Sequence, residues 1–114
     1  MITKDLTLSI QLDDKKIPKN ITWKSDDPPS NDVEQDAKAF FLSILDKKSL
    51  ETLKIDLWTK DLQIGEMNRM VYYSLKAMAD TYYNGTKNTN LANDMARFAQ
   101  YFGEESGVLQ KPES

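Results

Sequence analysis

The segment that most constrains the fold is residues 52–61, TLKIDLWTKD, together with the run that follows it. Three aliphatic residues alternate there with two charged residues and a tryptophan, which is the period of a β-strand with one apolar face. From residue 64 the apolar residues recur at helical spacing instead. The helical stripe consists of Ile64, Met67, Val71, Leu75, Met78 and Tyr82. The sequence therefore predicts a strand that leads directly into a long amphipathic helix, over about residues 63–84.

Two shorter strand patterns precede this segment. Residues 6–12 and residues 21–24 each alternate apolar with polar side chains, and the charged turn between them predicts a hairpin. Consecutive prolines at positions 28 and 29 end the second strand, because proline cannot donate a hydrogen bond to a ladder. A short helix is expected over residues 32–39, and three residues are equally suitable as its N-cap. These are Ser30, Asn31 and Asp32.

The apolar run at residues 40–45 fits a helix or a strand by its periodicity alone. We interpret it as a strand, because the polar loop at residues 46–49 leads at once into the strand at residue 52. One face of the resulting hairpin carries only apolar residues. The other face, the mixed face, carries charged residues together with Phe41, Leu45 and Trp58, which are expected to be adjacent across the hairpin.

A second amphipathic helix is predicted over about residues 90–105. Its apolar stripe consists of Leu91, Met95, Phe98 and Phe102. Either Thr89 or Asn90 can cap its start, and Gly107 is suited to end it. The pair Asn84-Gly85 is the predicted end of the first helix, since glycine readily adopts the left-handed conformation.

The order of predicted elements is ββαββαα. Strands followed by helices are typical of the α+β class. We therefore predict a single α+β domain over residues 1–114, with a four-stranded, mostly antiparallel sheet. The two C-terminal helices are expected to pack on the apolar face of that sheet, and the tail at residues 110–114 is expected to be frayed.

Two absences from the composition restrict the chemistry of the chain. It contains no cysteine and no histidine, which excludes disulfides, thiolate metal sites and the commonest general base. Eighteen acidic and fifteen basic residues give a net charge of -3, so we expect no nucleic-acid partner. No apolar run reaches the roughly eighteen residues of a membrane span, and the N-terminus is no signal peptide. We expect a cytoplasmic protein without membrane insertion.

Carboxylates are the abundant reactive groups, and three of them lie near the predicted strand-to-helix turn. Asp56, Asp61 and Glu66 are there, but acids near a helix N-terminus are ordinarily capping or solvated residues. We therefore expect no catalytic, cofactor or metal site and no enzymatic activity. Exposed aromatic and apolar residues are better candidates for function, because such residues anchor protein interfaces. The candidate interface residues are Phe41, Leu45, Trp58 and Tyr73.

Four segments of the sequence resemble the gliding motility protein GldC family of the Bacteroidetes. They are AKAFFLSILDKK (37–48), ETLKIDLWTKDL (51–62), EMNRM (66–70) and MADTY (78–82). The resemblance extends from about Leu6 to Gly107, and DLWTKD at residues 56–61 is its most specific part. It implies an accessory protein of gliding motility that interacts with other gliding-machinery or associated secretion proteins.

The function that we expect from these observations is a non-enzymatic interaction protein. It binds partners through the mixed face of the sheet, and a homodimer is a further expectation. The alternative is a chaperone-like holdase for exported or motility components. That alternative rests only on a fold-level analogy between a four-stranded antiparallel sheet with C-terminal helices and SecB-type chaperones.

Overall fold

The structure, a computed structural model, describes residues 1–111. Its elements are, in chain order, β1 (Leu6–Leu12), β2 (Pro18–Ser25), β3 (Gln35–Ala37), β4 (Ala39–Leu45), β5 (Thr52–Trp58), α1 (Ile64–Thr86) and α2 (Thr89–Glu105). They fall into two compact units, of which the first comprises residues 1–62 and the second begins at Gln63. The α+β class with two C-terminal helices is confirmed, whereas the single domain stays a prediction.

The strands of the first unit form two antiparallel sheets, so the prediction of one four-stranded sheet is wrong. β1, β2 and β3 form a three-stranded sheet in that order, and β4 pairs with β5 in a second sheet. The single residue Lys38 separates β3 from β4. Its carbonyl oxygen accepts the backbone N–H of Thr59, 2.8 Å away and beyond the end of β5. The backbone bends there, and the segment pairs with β2 before the bend and with β5 after it.

The predicted helix at residues 32–39 is also wrong, because its three candidate N-caps build a turn instead. The hydroxyl of buried Ser30 accepts the backbone N–H of Ser25 (3.1 Å) and donates to the carbonyl of Val33 (2.6 Å). Asn31 and Asp32 have positive φ angles of 48° and 64°. Short polar side chains often compete with helix formation through such local bonds. The chain then enters β3, which pairs with β2.

The β4–β5 hairpin confirms the two strands predicted around the polar loop. The pairing runs from Ala39 opposite Trp58 to Leu45 opposite Thr52. The apolar face consists of Phe40, Leu42, Ile44, Leu53, Ile55 and Leu57. Three of the six residues of this face keep 38–55% of their surface exposed. Packing of the two helices on it stays a prediction.

The second unit is a helical hairpin whose contact is made largely by small residues. Its buried residues are Tyr72, Ala79, Ala92, Ala99 and Gly103. A Cβ atom at Gly103 would lie 2.7 Å from ring atoms of Tyr72, so the absence of a side chain there permits the close approach of the helices. None of the residues of the predicted stripe of α1 is among these buried residues, and two of them, Ile64 and Met78, are exposed.

The helix ends differ slightly from the predictions. α1 passes through Gly85 and ends at Lys87, whose φ of 59° is left-handed and whose N–H donates to the carbonyl of Tyr83 (2.7 Å). Asn88 caps α2 by accepting the backbone N–H of Leu91 (3.1 Å). At the start of α1, Glu66 accepts the N–H of Gln63 (2.9 Å), which confirms its role at the helix end.

Gly107 follows the end of α2 with a left-handed φ of 84°. The tail that was predicted to fray, residues 110–114, lies mostly outside the described residues. Within them, Lys111 forms an ion pair with Glu105 at 3.1 Å.

Candidate interaction surface and the Thr59–Asp61 turn

The mixed face of the β4–β5 hairpin brings two of the predicted interface residues together. Trp58 lies opposite Ala39, and Phe41 lies opposite Asp56. Phe41 and Trp58 are therefore diagonal neighbours on one face, at a backbone separation of roughly 7–8 Å. Trp58 keeps 49% of its surface exposed. The pairing register also places Lys54 and Asp56 on the mixed face.

Paired charges adjoin the aromatic rings of the mixed face. Lys54 Nζ lies 5.2 Å from the centroid of the Phe41 ring and 2.7 Å from Oδ1 of Asp56. Exposed ion pairs contribute little to stability, since water solvates both partners in the unfolded chain. What the pair contributes here is a fixed polar border beside two apolar rings, which is the usual composition of a protein interface.

The other two predicted interface residues lie elsewhere. Leu45 is exposed and on the same side of the hairpin, but it stands opposite Thr52 at the far end of the ladder. Six residues of strand place it roughly 20 Å from Ala39 and its partner Trp58, so the predicted adjacency of Leu45 and Trp58 is wrong. Tyr73 is exposed on α1, with its ring 4.9 Å from Tyr72. Their participation in an interface stays a prediction.

The segment after Trp58 forms a turn that holds the two sheets together. Thr59 is buried, its N–H donates to the carbonyl of Lys38, and its hydroxyl donates to Asp61 Oδ1 at 2.5 Å. The next N–H, of Lys60, donates to the carbonyl of Pro18 at the start of β2 (3.2 Å). The TKD portion of the most specific segment therefore links β5 both to β2 and to the bend between β3 and β4.

Asp13 completes this link from the β1–β2 turn. Its Oδ2 pairs with Lys60 Nζ at 3.2 Å, and its Oδ1 accepts the backbone N–H groups of Lys15 (2.9 Å) and Ile17 (3.0 Å). In the sequence, Asp13 is recognisable only as part of the charged turn between β1 and β2. Aspartate side chains commonly stabilise turns by accepting backbone N–H groups two to four residues ahead, so the local role of Asp13 could be predicted from the sequence. Its ion pair with the distant Lys60 could not.

A shallow polar groove lies beside the turn and is lined in part by Lys19, Asp36 and Asp61. The hydrogen bond from Thr59 holds the pKa of Asp61 below its ordinary value. A general acid at neutral pH needs a raised carboxyl pKa, so this shift has the direction opposite to that requirement. Among residues 1–111 no group of three or more acidic side chains is arranged to hold a metal ion.

Acid is expected to destabilise the first unit, and Asp13 to account for part of the effect. The N–H of Ile17 lowers the pKa of Asp13, that of Ser49 lowers the pKa of Asp46, and the Thr59 hydroxyl lowers the pKa of Asp61. Because each folded-state pKa is below the ordinary 3.8, the stabilisation is complete above that value. It is lost as the pH falls through the folded-state pKa.

The measurement is the urea midpoint from neutral pH to below 3.8. Asp13→Asn is expected to lower the midpoint at neutral pH and to flatten its decline in acid. Asp14→Asn removes a charge one residue away and is the matched control. An unchanged decline in the Asp13 variant would contradict the assignment.

Comparison with known proteins identifies one family. The model of a family described as "Gliding motility-associated protein GldC-like" matches residues 18–107, which is more than half of the chain and includes the mixed face and the turn. Neither the curated proteins nor the solved structures gave a significant match. In the described part of the chain, α1 and α2 both lack the combination of length and apolarity that crossing a bilayer requires. The chain belongs to the GldC-like family of gliding motility-associated proteins.

Proposed function

We propose that this protein is a non-enzymatic, cytoplasmic accessory protein of the gliding machinery that acts by binding another protein through its mixed face. One observation carries the proposal: a half-exposed tryptophan and a phenylalanine lie side by side on a strand face that also bears paired charges. The family of the chain is associated with gliding motility, which supports a partner that takes part in gliding.

The composition of the mixed face favours recognition of a protein. Trp58 and Phe41 present rigid aromatic surface, whose burial costs little conformational entropy and removes much apolar area from water. Lys54 and Asp56 already satisfy each other, so a partner can approach without leaving a lone charge desolvated. The partner that fits is a protein with an apolar pocket for the rings and a polar rim.

A non-enzymatic role is supported by the state of the carboxylates. The sequence has no histidine or cysteine, so acid–base catalysis would fall mainly to Asp and Glu. Asp13, Asp46 and Asp61 all have lowered pKa values, because turn N–H and hydroxyl groups donate to them. A carboxylate with a lowered pKa is ionised at neutral pH and is not suited to act as a general acid.

The test is affinity capture of partners from gliding cells, followed by titration of the purified partner. Trp58→Ala is expected to weaken the complex at least about tenfold, because a central interface tryptophan contributes on the order of 2 kcal/mol. Tyr101→Ala removes an exposed aromatic residue in the second unit and is the matched control. Equal affinity of wild type and Trp58→Ala for every captured protein would contradict the proposal.

The holdase alternative stays a prediction without added support. Its analogy with SecB-type chaperones depended on one four-stranded sheet, whereas the strands form a three-stranded and a two-stranded sheet.

A further inference from the structure

The second unit carries a broad apolar surface to one side of the line along which its two helices approach each other. The buried residues of the hairpin are Tyr72 and Ala79 on α1 and Ala92, Ala99 and Gly103 on α2, and Tyr72 lies against Gly103. The larger apolar residues are half-buried or exposed. They are Ile64, Met67, Val71, Leu75, Met78 and Tyr82 on α1 and Leu91, Met95, Phe98 and Phe102 on α2. We call these ten residues the helical apolar face.

The ten residues lie on one side of the hairpin. At 100° per residue, the stripe of each helix is centred about 90° from the direction of the helix contact, in the same rotational sense. The helices are antiparallel, because Tyr72 meets Gly103 while residues 79–84 meet residues 89–96. In an antiparallel pair, equal rotation turns both stripes toward the same side.

A groove on the other side of the hairpin supports this arrangement. Asp80 and Asn84 of α1 and Asn93 of α2 line it together. On the helical wheels these residues lie roughly opposite the two stripes. The hairpin therefore has one polar side and one apolar side.

Four residues of the helical apolar face are exposed and the other six are half-buried. Ile64, Met78, Leu91 and Phe98 keep 49–82% of their surface exposed. Continuous apolar patches beyond a few hundred Å² are rare on soluble monomers and mark sites of association.

We propose that a second copy of this chain, in place of the sheet of the same chain, covers the helical apolar face, so that two hairpins form a four-helix bundle. Helices of 17 and 23 residues are roughly 25 and 35 Å long, and two side by side are about 20 Å wide. Each hairpin thus offers on the order of 600 Å² of projected face. Since side chains make the accessible area larger than the projection, this approaches the roughly 800 Å² per partner of a standard interface.

The absence of charge favours a second copy over a foreign partner. In a two-fold symmetric dimer a patch faces itself, so any net charge on it meets a like charge. At 100° per residue, no charged residue of α1 or α2 falls within the arc of its stripe, although the chain as a whole has a net charge of -3. The face can therefore pack against an identical face without bringing like charges together. A second copy of the chain, unlike a foreign partner, is available wherever the chain itself is present. Antiparallel helices packed in this way have the layout of a four-helix bundle.

The test is the solution mass of the full chain by sedimentation equilibrium over a range of concentrations. Wild type is expected at twice the chain mass of 13.1 kDa. Phe98→Glu is expected at 13.1 kDa, with a dimer dissociation constant raised on the order of a hundredfold, because the dimer buries the new charge twice. Tyr73→Glu makes the same change at an exposed aromatic residue outside the helical apolar face, and is expected to remain dimeric.

A second measurement guards against misfolding of the Phe98 variant. The chain has no cysteine, so Met78→Cys introduces a unique site for a spin label. A distance between two labels is expected in the dimer and should disappear when Phe98→Glu is added, while circular dichroism stays helical. A wild-type mass of 13.1 kDa at every concentration would overturn the proposal, because the face would then be covered within the chain or reserved for a foreign partner.

A dimeric Phe98→Glu would also overturn the proposal and would locate the contact elsewhere. The proposal is independent of the proposed function. Trp58→Ala is expected to lose the partner protein and to keep the dimer, whereas Phe98→Glu tests the dimer alone.

Discussion

Replacing Tyr72 with alanine is expected to lower the free energy of unfolding of the helical hairpin by about 3–5 kcal/mol, the usual cost of removing a buried aromatic side chain. Tyr72 is 5% exposed, and its ring occupies the space beside Gly103. The other buried residues of the hairpin are alanines and this glycine, so none is large enough to fill the cavity. The measurement is urea unfolding followed by helical circular dichroism.

Tyr73→Ala is the matched control for Tyr72→Ala. The two tyrosines are adjacent in sequence, but Tyr73 is 47% exposed, so its removal is expected to cost under about 1 kcal/mol. Similar losses in the two variants would show that Tyr72 is not the centre of the helix contact.

A double-mutant cycle makes the same test more specific. Gly103→Ala alone is expected to destabilise the hairpin by about 1–3 kcal/mol, reduced by up to about 1 kcal/mol through better helix propensity. The added Cβ would otherwise lie 2.7 Å from the Tyr72 ring and 2.8 Å from Leu109 Cδ1. In the Tyr72→Ala background the ring is gone, so the cost of Gly103→Ala should fall. Additive losses would contradict the direct contact.

The elements that the sequence predicted correctly are those with a strong local period. Alternation over residues 6–12 and 52–58 and the helical stripe from residue 64 required no distant partner for their interpretation. The same alternation placed Phe41 and Trp58 on one face of the hairpin. Leu45 shares that face, but its distance from Trp58 depends on the pairing register, which a strand pattern alone does not specify.

The features that the sequence did not predict depend on partners that are distant in the chain. Residues 35–37 are too few to show a period, and they become a strand because β2 pairs with them. The stripe of α1 identified an apolar surface but not its neighbour, and α2 instead approaches through small residues. The link through Thr59 and Lys60 needed the carbonyl groups of Lys38 and Pro18, which lie far from the turn in sequence.

Ile21→Ala is expected to cost the first unit about 2–5 kcal/mol of unfolding free energy, because it leaves a cavity in the middle of a sheet. Ile21 is 1% exposed and lies on β2, the central strand, between Ile10 of β1 and Ala37 of β3. It also lines the groove beside Thr59. The same side chain therefore supports the three-stranded sheet and the turn that joins it to β4 and β5.

Tryptophan fluorescence during urea unfolding measures this loss selectively, since Trp23 and Trp58 both lie in the first unit. Ile10→Ala is the matched control: it removes the same atoms from the residue directly opposite, which is 37% exposed. Because those atoms are partly hydrated already, its cost is expected to be less than half that of Ile21→Ala. Equal costs would mean that the first unit is not centred on Ile21.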